Sequence, residues 1–233
     1  MDARSCSLTP SRAEVHEARP HPGQMLVAQR LRTILSGSSI LHDHASCDRV
    51  QDPYSFRCAP QVHGAVHESY VRLDEMLRRE LNSATDNPLI FPEPSNPGTH
   101  EVVSQGNFHG EIVALTCDGM SLALFELGSI SERRMDQILD PSRSGLPAFL
   151  ATNSGLESGL MIVQYVAGSS LAELHGQASP RSAFSTTTSA GQEDHVSMGA
   201  TSAWNLLTGV KRLSEVLACE LLIASEALEH ATM

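Results

Sequence analysis

Two stretches of this chain gather side chains that could run chemistry. Gly191-Gln192-Glu193-Asp194-His195-Val196-Ser197-Met198 packs carboxylates and an imidazole between a Ser/Thr-rich segment and a long apolar-periodic run. Gln51-Asp52-Pro53-Tyr54-Ser55-Phe56-Arg57-Cys58 holds an amide, a phenol and a guanidinium within one or two turns. Glu193 and His195 are candidates for acid/base work, since each can hold or release a proton near neutral pH when its surroundings shift it. Arg57 offers a planar two-pronged donor suited to a carboxylate, and Tyr54, three residues away, can donate to developing negative charge. Each group also has a structural alternative. Arg57 could pair with Asp52, and Gln192, Glu193 and His195 could cap or pack a helix start near Ser197.

Other chemistries find little support. There is no GxGxxG after a strand, no Walker loop, no GxSxG elbow and no HExxH. His63 and His67 stand four apart, but Glu68 follows the second histidine and no third ligand is near in sequence, so no metal site is assigned. His42, Asp43, His44 and Cys47 form a looser cluster that reads as loop surface. The formal charge is -11, from 27 acids against 16 bases, which disfavours a nucleic-acid partner. Five cysteines, odd in number and without a CxxC pair, fit free thiols. No signal-peptide core opens the chain and no unbroken apolar run suggests a membrane span. The expectation is a soluble, cytoplasmic protein.

The elements that must position these clusters are helical. Aromatic residues are only 4% of the chain, and the periodic stretches are Leu, Ala, Val, Ile and Met, which favours helix over sheet. Residues 1–19 carry no pattern and are expected to be poorly ordered, leaving 20–233 as the helical domain. Spacing predicts a helix over Gln24 to Leu35, and a second after Pro60 with the stripe Val62, Val66, Leu73, Leu77 and Leu81. Between them, Pro53 and Pro60 predict an ordered loop. Phe91 to His100, rich in proline, reads as an exposed linker. Phe108 to Leu139 is apolar on nearly every side, around Leu115, Leu122, Leu124, Phe125, Leu127 and Ile130, as a helix buried by other helices would be. Ser154 to Leu174 predicts another helix. Ala200 to Leu228 predicts the last, with Leu206, Val210, Leu213, Leu217, Leu221, Ala224 and Leu228 as its inward stripe. The fold class is all-α, a long-helix bundle.

Together these stretches resemble the aromatic amino acid lyases. The matching pieces are residues 49–64 around Tyr54 and Arg57, residues 82–89, and Gly106-Asn107-Phe108-His109-Gly110-Glu111. Ile130-Ser131-Glu132-Arg133-Arg134, Gly145 to Leu150, and Gln192 to Met198 follow in the family's order. The resemblance implies a helical homotetramer that eliminates ammonia through the electrophile 4-methylideneimidazol-5-one (MIO), with each site drawn from three subunits. It implies that Arg57 holds the substrate carboxylate and that Tyr54 stands beside the electrophile and amino group. Gln51 supports that polar network, Phe108 packs near the prosthetic group and substrate, and Glu193 faces an imidazole. The last role points to L-histidine as substrate and trans-urocanate as product, a reaction of histidine degradation.

The sequence also departs from the family pattern. MIO forms from Ala-Ser-Gly, which occurs nowhere in these 233 residues. Glu-Asn-Lys is replaced by Glu173-Leu174-His175, and Pro-Ala-Ser by Pro180-Arg181-Ser182. The expectation is a central-to-C-terminal portion of such an enzyme, inactive alone. The alternatives are a non-catalytic helical oligomerisation module, or a lyase or aminomutase for another aromatic amino acid.

Overall fold

The computed structural model describes residues 7–43 and 51–232, so His44, Cys47, Arg49 and Val50 lie outside the described residues. In chain order the helices are α1 (Ala13–Glu17), α2 (Pro22–Ile34), α3 (Ser39–Asp43), α4 (Tyr54–Arg57), α5 (Ala59–Glu80), α6 (Glu111–Leu139), α7 (Pro141–Ser144), α8 (Met161–Gln177) and α9 (Gly199–Thr232). One antiparallel hairpin, β1 (Leu89–Pro92) with β2 (His100–Val103), interrupts them. The all-α bundle expected from the periodicity is what forms.

Helix α6 is the axis of the fold, packed by α5, α8 and α9. It is the helix among the described residues that is long and apolar enough to cross a membrane, although no such run was expected. Its protein neighbours account for much of that character: Met120, Ala123, Leu124, Met135, Ile138 and Leu139 are buried against them. The expectation of burial on every side fails on one strip, where Ile112, Leu115 and Leu122 are exposed.

A similar correction applies to α9. Its buried face is Ser202, Asn205, Leu213, Val216, Cys219, Ile223 and Ala227, largely small or branched residues that let the helices approach. Of the leucine-rich stripe read from the sequence only Leu213 is buried, while Val210, Leu217, Leu221 and Leu228 are exposed, Leu221 at 70%. Two apolar stripes run side by side along α9, and periodicity alone cannot say which one the chain itself covers.

Proline accounts for a third difference. Residues 53–60 are not a loop: Pro53 caps α4, and Pro60 sits in the first turn of α5, where a missing N–H costs nothing. Likewise 91–100 is a hairpin rather than a plain linker, since Ile90, Phe91, Val102 and Val103 favour extended pairing around the Pro94 to Gly98 turn. Helix α8 begins at Met161 rather than Ser154, because Gly155 and Gly159 adopt positive φ ahead of it. Residues 7–19, expected to be poorly ordered, carry a 3-10 turn and α1. His16 anchors them, 1% exposed, with Nε2 2.9 Å from the Pro10 carbonyl and Nδ1 2.8 Å from Gln24 Nε2.

The α2–α5 crossing depends on two glycines. A methyl group on Gly23 would lie 2.3 Å from the Gly64 carbonyl oxygen, and one on Gly64 would lie 2.5 Å from the Gln24 nitrogen. Both obstacles are backbone and cannot rotate away. Gly23→Ala is expected to destabilise the protein by about 1–3 kcal/mol through overpacking, read as a lower urea midpoint.

Candidate functional site

The first cluster is built on α4. Its single turn presents Tyr54 and Arg57, with Ser55 and Phe56 buried beneath. Phe56 is 1% exposed and fixes the turn against the core, which leaves Tyr54 free to stand 73% exposed. Arg57 Nη1 donates to Gln51 Oε1 at 2.5 Å. The pairing with Asp52 does not form, for Asp52 Oδ2 accepts instead from the Ser7 backbone N–H at 2.8 Å. Tyr54 lines an open cavity of about 350 Å³ with Val62, Glu126, Ser129, Ile130 and Arg133. This places the cluster against the second half of α6.

The second cluster lies at the other end of that helix. Residues 178–198 form a loop pinned at several points. The Ser182 N–H donates to Asp118 Oδ2 at 2.8 Å, Arg181 Nη2 donates to Asn205 Oδ1 at 3.1 Å, and the Val196 N–H donates to Ser185 Oγ at 2.9 Å. Burial opposes the charge on Asp118, but hydrogen bonds from Ser182 and the Arg181 backbone outweigh it and hold the carboxyl below its ordinary range. Ser189, Ala190 and Gly191 all have left-handed φ, a costly run for residues with a Cβ. It turns the chain so that Thr188 and Glu193 bridge, their backbones bonding at 3.0 Å.

Glu193 is exposed and accepts the Thr188 hydroxyl at 2.6 Å. That bond, and a second from Ser189, holds its carboxyl below the ordinary carboxylate value, so it is ionised at neutral pH. Glu193 and His195 do not form an acid/base pair. His195 instead stacks on His109 with centroids 5.4 Å apart, and its Nδ1 lies 3.3 Å from His109 Nε2. Ser197, not Gln192 or Glu193, serves the start of α9, accepting from the Gly199 N–H at 3.3 Å. Close approach of the two elements uses glycine, since a methyl on Gly199 would lie 3.1 Å from the Gly110 carbonyl. Phe108, 57% exposed, is the neighbour of His109 on this side.

One chain therefore separates the groups that sequence reading put into one site. Gln51, Tyr54 and Arg57 gather near Ile130, whereas Phe108 and Glu193 flank His109 and His195, whose rings meet just before Glu111. Nineteen residues of helix between those points span about 28 Å, too far for any single amino acid to bridge. The His109–His195 contact was missed because the two residues are 86 apart in sequence and neither belongs to a local motif.

Comparison with known proteins matches residues 1–233 to the aromatic amino acid lyase family. The chain is 48% identical over 216 residues to histidine ammonia-lyase of Myxococcus xanthus, covering 93% of this chain and 42% of that enzyme. It is 49% identical over 230 residues to that of Deinococcus radiodurans, covering 98% of this chain and 43% of that one. Among solved structures, histidine ammonia-lyase from Trypanosoma cruzi superposes with a TM-score of 0.86 at 43% identity, covering 98% of this chain and 41% of its own. A phenylalanine aminomutase from Pantoea agglomerans gives 0.87 at 34% identity, covering 98% and 47%. The chain spans less than half the length of the relatives it matches. With a match along its full length, relatives near half identical and the same helical fold, it belongs to the aromatic amino acid lyase family.

Proposed function

We propose that this chain supplies the carboxylate-binding and ring-recognising parts of a histidine ammonia-lyase, which eliminates ammonia from L-histidine to give trans-urocanate. The observation that carries this reading is Glu193, ionised, exposed and held at the mouth of α9 by Thr188. A carboxylate there accepts an imidazole N–H and favours the charged ring, which acidifies the adjacent methylene whose proton must leave. Phenylalanine and tyrosine offer no ring nitrogen. The identity gap supports the same choice, since histidine ammonia-lyases are 43–49% identical where an aminomutase is 34%.

In this reading Arg57, oriented by Gln51, grips the substrate carboxylate, and Tyr54 stands beside the substrate amino group. Phe108 packs against the substrate from the other cluster. Because the two halves lie about 28 Å apart along α6, a complete site needs them from different subunits. The exposed apolar strips on α6 and α9, with Trp204 at 70% exposure, suit burial between copies in a homotetramer.

The family's electrophile does not fit these residues as its source. With no Ala-Ser-Gly here, these residues cannot form MIO, and no step is derived through it. Binding groups alone do not lower the barrier of the chemical step. The 233-residue chain with L-histidine is accordingly expected to give no urocanate absorbance.

The test is a segment exchange, in which residues 1–233 replace the matching portion of the Myxococcus xanthus enzyme. The assembled chimaera is expected to form urocanate from L-histidine and to leave phenylalanine and tyrosine untouched. A folded tetramer that turns over phenylalanine or tyrosine but not histidine would overturn the assignment. A second reading, a non-catalytic oligomerisation module, rests on the same exposed strips and predicts an assembled chimaera with no turnover of any of the three.

A further inference from the structure

Among the described residues, one group of side chains has the composition of a metal centre. His109, Glu111 and His195 each bring one ligand atom within 4.8 Å of the others. They come from three places, the β2–α6 connection, the first turn of α6 and the loop ahead of α9, so the grouping is tertiary. It is not a run of like residues on one surface.

Three observations point to a cation. The first is the spacing of the two imidazoles. Nitrogens bound to zinc at about 2.0–2.1 Å and at a tetrahedral angle stand about 3.3–3.4 Å apart, and His195 Nδ1 lies 3.3 Å from His109 Nε2. The second is Glu111, whose Oε2 is buried and has no hydrogen-bond partner. A buried carboxylate oxygen without a partner is costly, and a metal ion would satisfy it. The third is that His195 is exposed while His109 and Glu111 are half-buried, which leaves one side open for entry and for a water ligand.

We propose that His109 Nε2, His195 Nδ1 and a Glu111 carboxylate oxygen form a site for a divalent transition metal of the zinc class, with water as fourth ligand. Two imidazoles and one carboxylate are a donor set that zinc accepts with an open position. His109 Nε2 also lies 3.2 Å from the His195 carbonyl. Binding requires that nitrogen to be unprotonated, so the metal replaces this contact and the ring proton sits on Nδ1. Ligand atoms on zinc stand about 3.3–3.4 Å apart, so a Glu111 oxygen within 4.8 Å of both nitrogens closes by at most about 1.5 Å on binding. The metal would tie residues 192–198 to the start of α6. The site does not depend on the lyase reading.

Cobalt(II) is the probe. Titrated into the 233-residue chain, it is expected to give one equivalent of tetrahedral visible absorption that zinc displaces. His109→Ala and His195→Ala are each expected to weaken that binding by at least about tenfold, with unchanged far-ultraviolet circular dichroism. His195→Cys should keep the equivalent and add a thiolate-to-cobalt charge-transfer band, a change that mere loss of packing cannot produce. No tetrahedral absorption in the parent chain would overturn the proposal. So would the same stoichiometry and spectrum in both alanine variants, or a cysteine variant that binds cobalt without the sulfur band.

Discussion

Arg57→Met in the exchanged enzyme is expected to lower kcat/KM for histidine by about 30- to 1000-fold, the equivalent of about 2–4 kcal/mol for losing a charge-assisted carboxylate clamp. Gln51 already holds the guanidinium at 2.5 Å, so it is oriented before substrate arrives and little entropy is lost on binding. Glu193→Gln keeps the shape and removes the charge, and a loss on the order of 100-fold is expected from the methylene acidification proposed for it. The two variants should differ in kind. In the proposed reading Arg57 binds a group common to every α-amino acid, so its loss is expected to fall on all substrates alike and mostly on KM. In the same reading Glu193 binds the ring, so its loss is expected to fall on kcat and to erode the preference for histidine. Steady-state rates with histidine and phenylalanine separate the two patterns, and unchanged histidine turnover in Glu193→Gln would favour a different aromatic substrate.

The second large effect concerns the core. Arg134 on α6 and Glu220 on α9 form a buried ion pair, with side chains 9% and 19% exposed. Arg134 Nη2 donates to Glu220 Oε2 at 2.8 Å and Ser131 Oγ donates to the same oxygen at 2.5 Å. Arg134 Nη1 also donates to His63 Nε2 at 3.2 Å, which links α5 to the pair. Arg134→Ala strands the Glu220 carboxylate in the bundle and is expected to cost about 3–5 kcal/mol in the urea midpoint.

The same network sets an acid limit. Burial, and then the Arg134 charge, push His63 down from 6.5 to about 4, against a smaller upward pull from Glu220. The unfolded chain takes up this proton below pH 6.5 whereas the folded chain refuses it until about pH 4. Stability is therefore lost as pH falls through that window, by up to about 3 kcal/mol. Burial raises the Glu220 carboxyl, but Arg134 and Ser131 outweigh it and leave it below its ordinary 4.5. Its stabilisation is present above 4.5 and disappears below, so the two effects follow one another. His63→Gln is expected to flatten the urea midpoint between pH 6.5 and 4, and an unaltered profile would remove His63 as the cause.

These residues show how far the sequence could be read. Long helices were legible because apolar residues recur along them, and α2, α5, α6 and α9 start and stop within a few residues of their expected limits. Which face each helix buries was less legible. On α9 most leucines are exposed, while Leu213 and a set of small or branched residues are covered, because close packing against α6 selects for size as much as for hydrophobicity. Pro53 and Pro60 were read as helix breakers although the first turn of a helix tolerates them. For the site, residue types and order were informative but geometry was not. Gln51 as the partner of Arg57, and His109 as the partner of His195, depend on how the chain is folded. The separation of the two clusters also follows from α6 running unbroken between them.

That separation gives the account its most direct test. Exchanged enzyme carrying Arg57→Met and exchanged enzyme carrying Glu193→Gln, each strongly impaired at histidine well below KM, can be denatured, mixed and reassembled into hybrid tetramers assayed at that concentration. If Arg57 and Glu193 reach one substrate from different subunits, some sites in the hybrids contain neither substitution, and urocanate formation is expected to rise well above either parent. Verified hybrid tetramers no more active than the parents would contradict a site shared between chains.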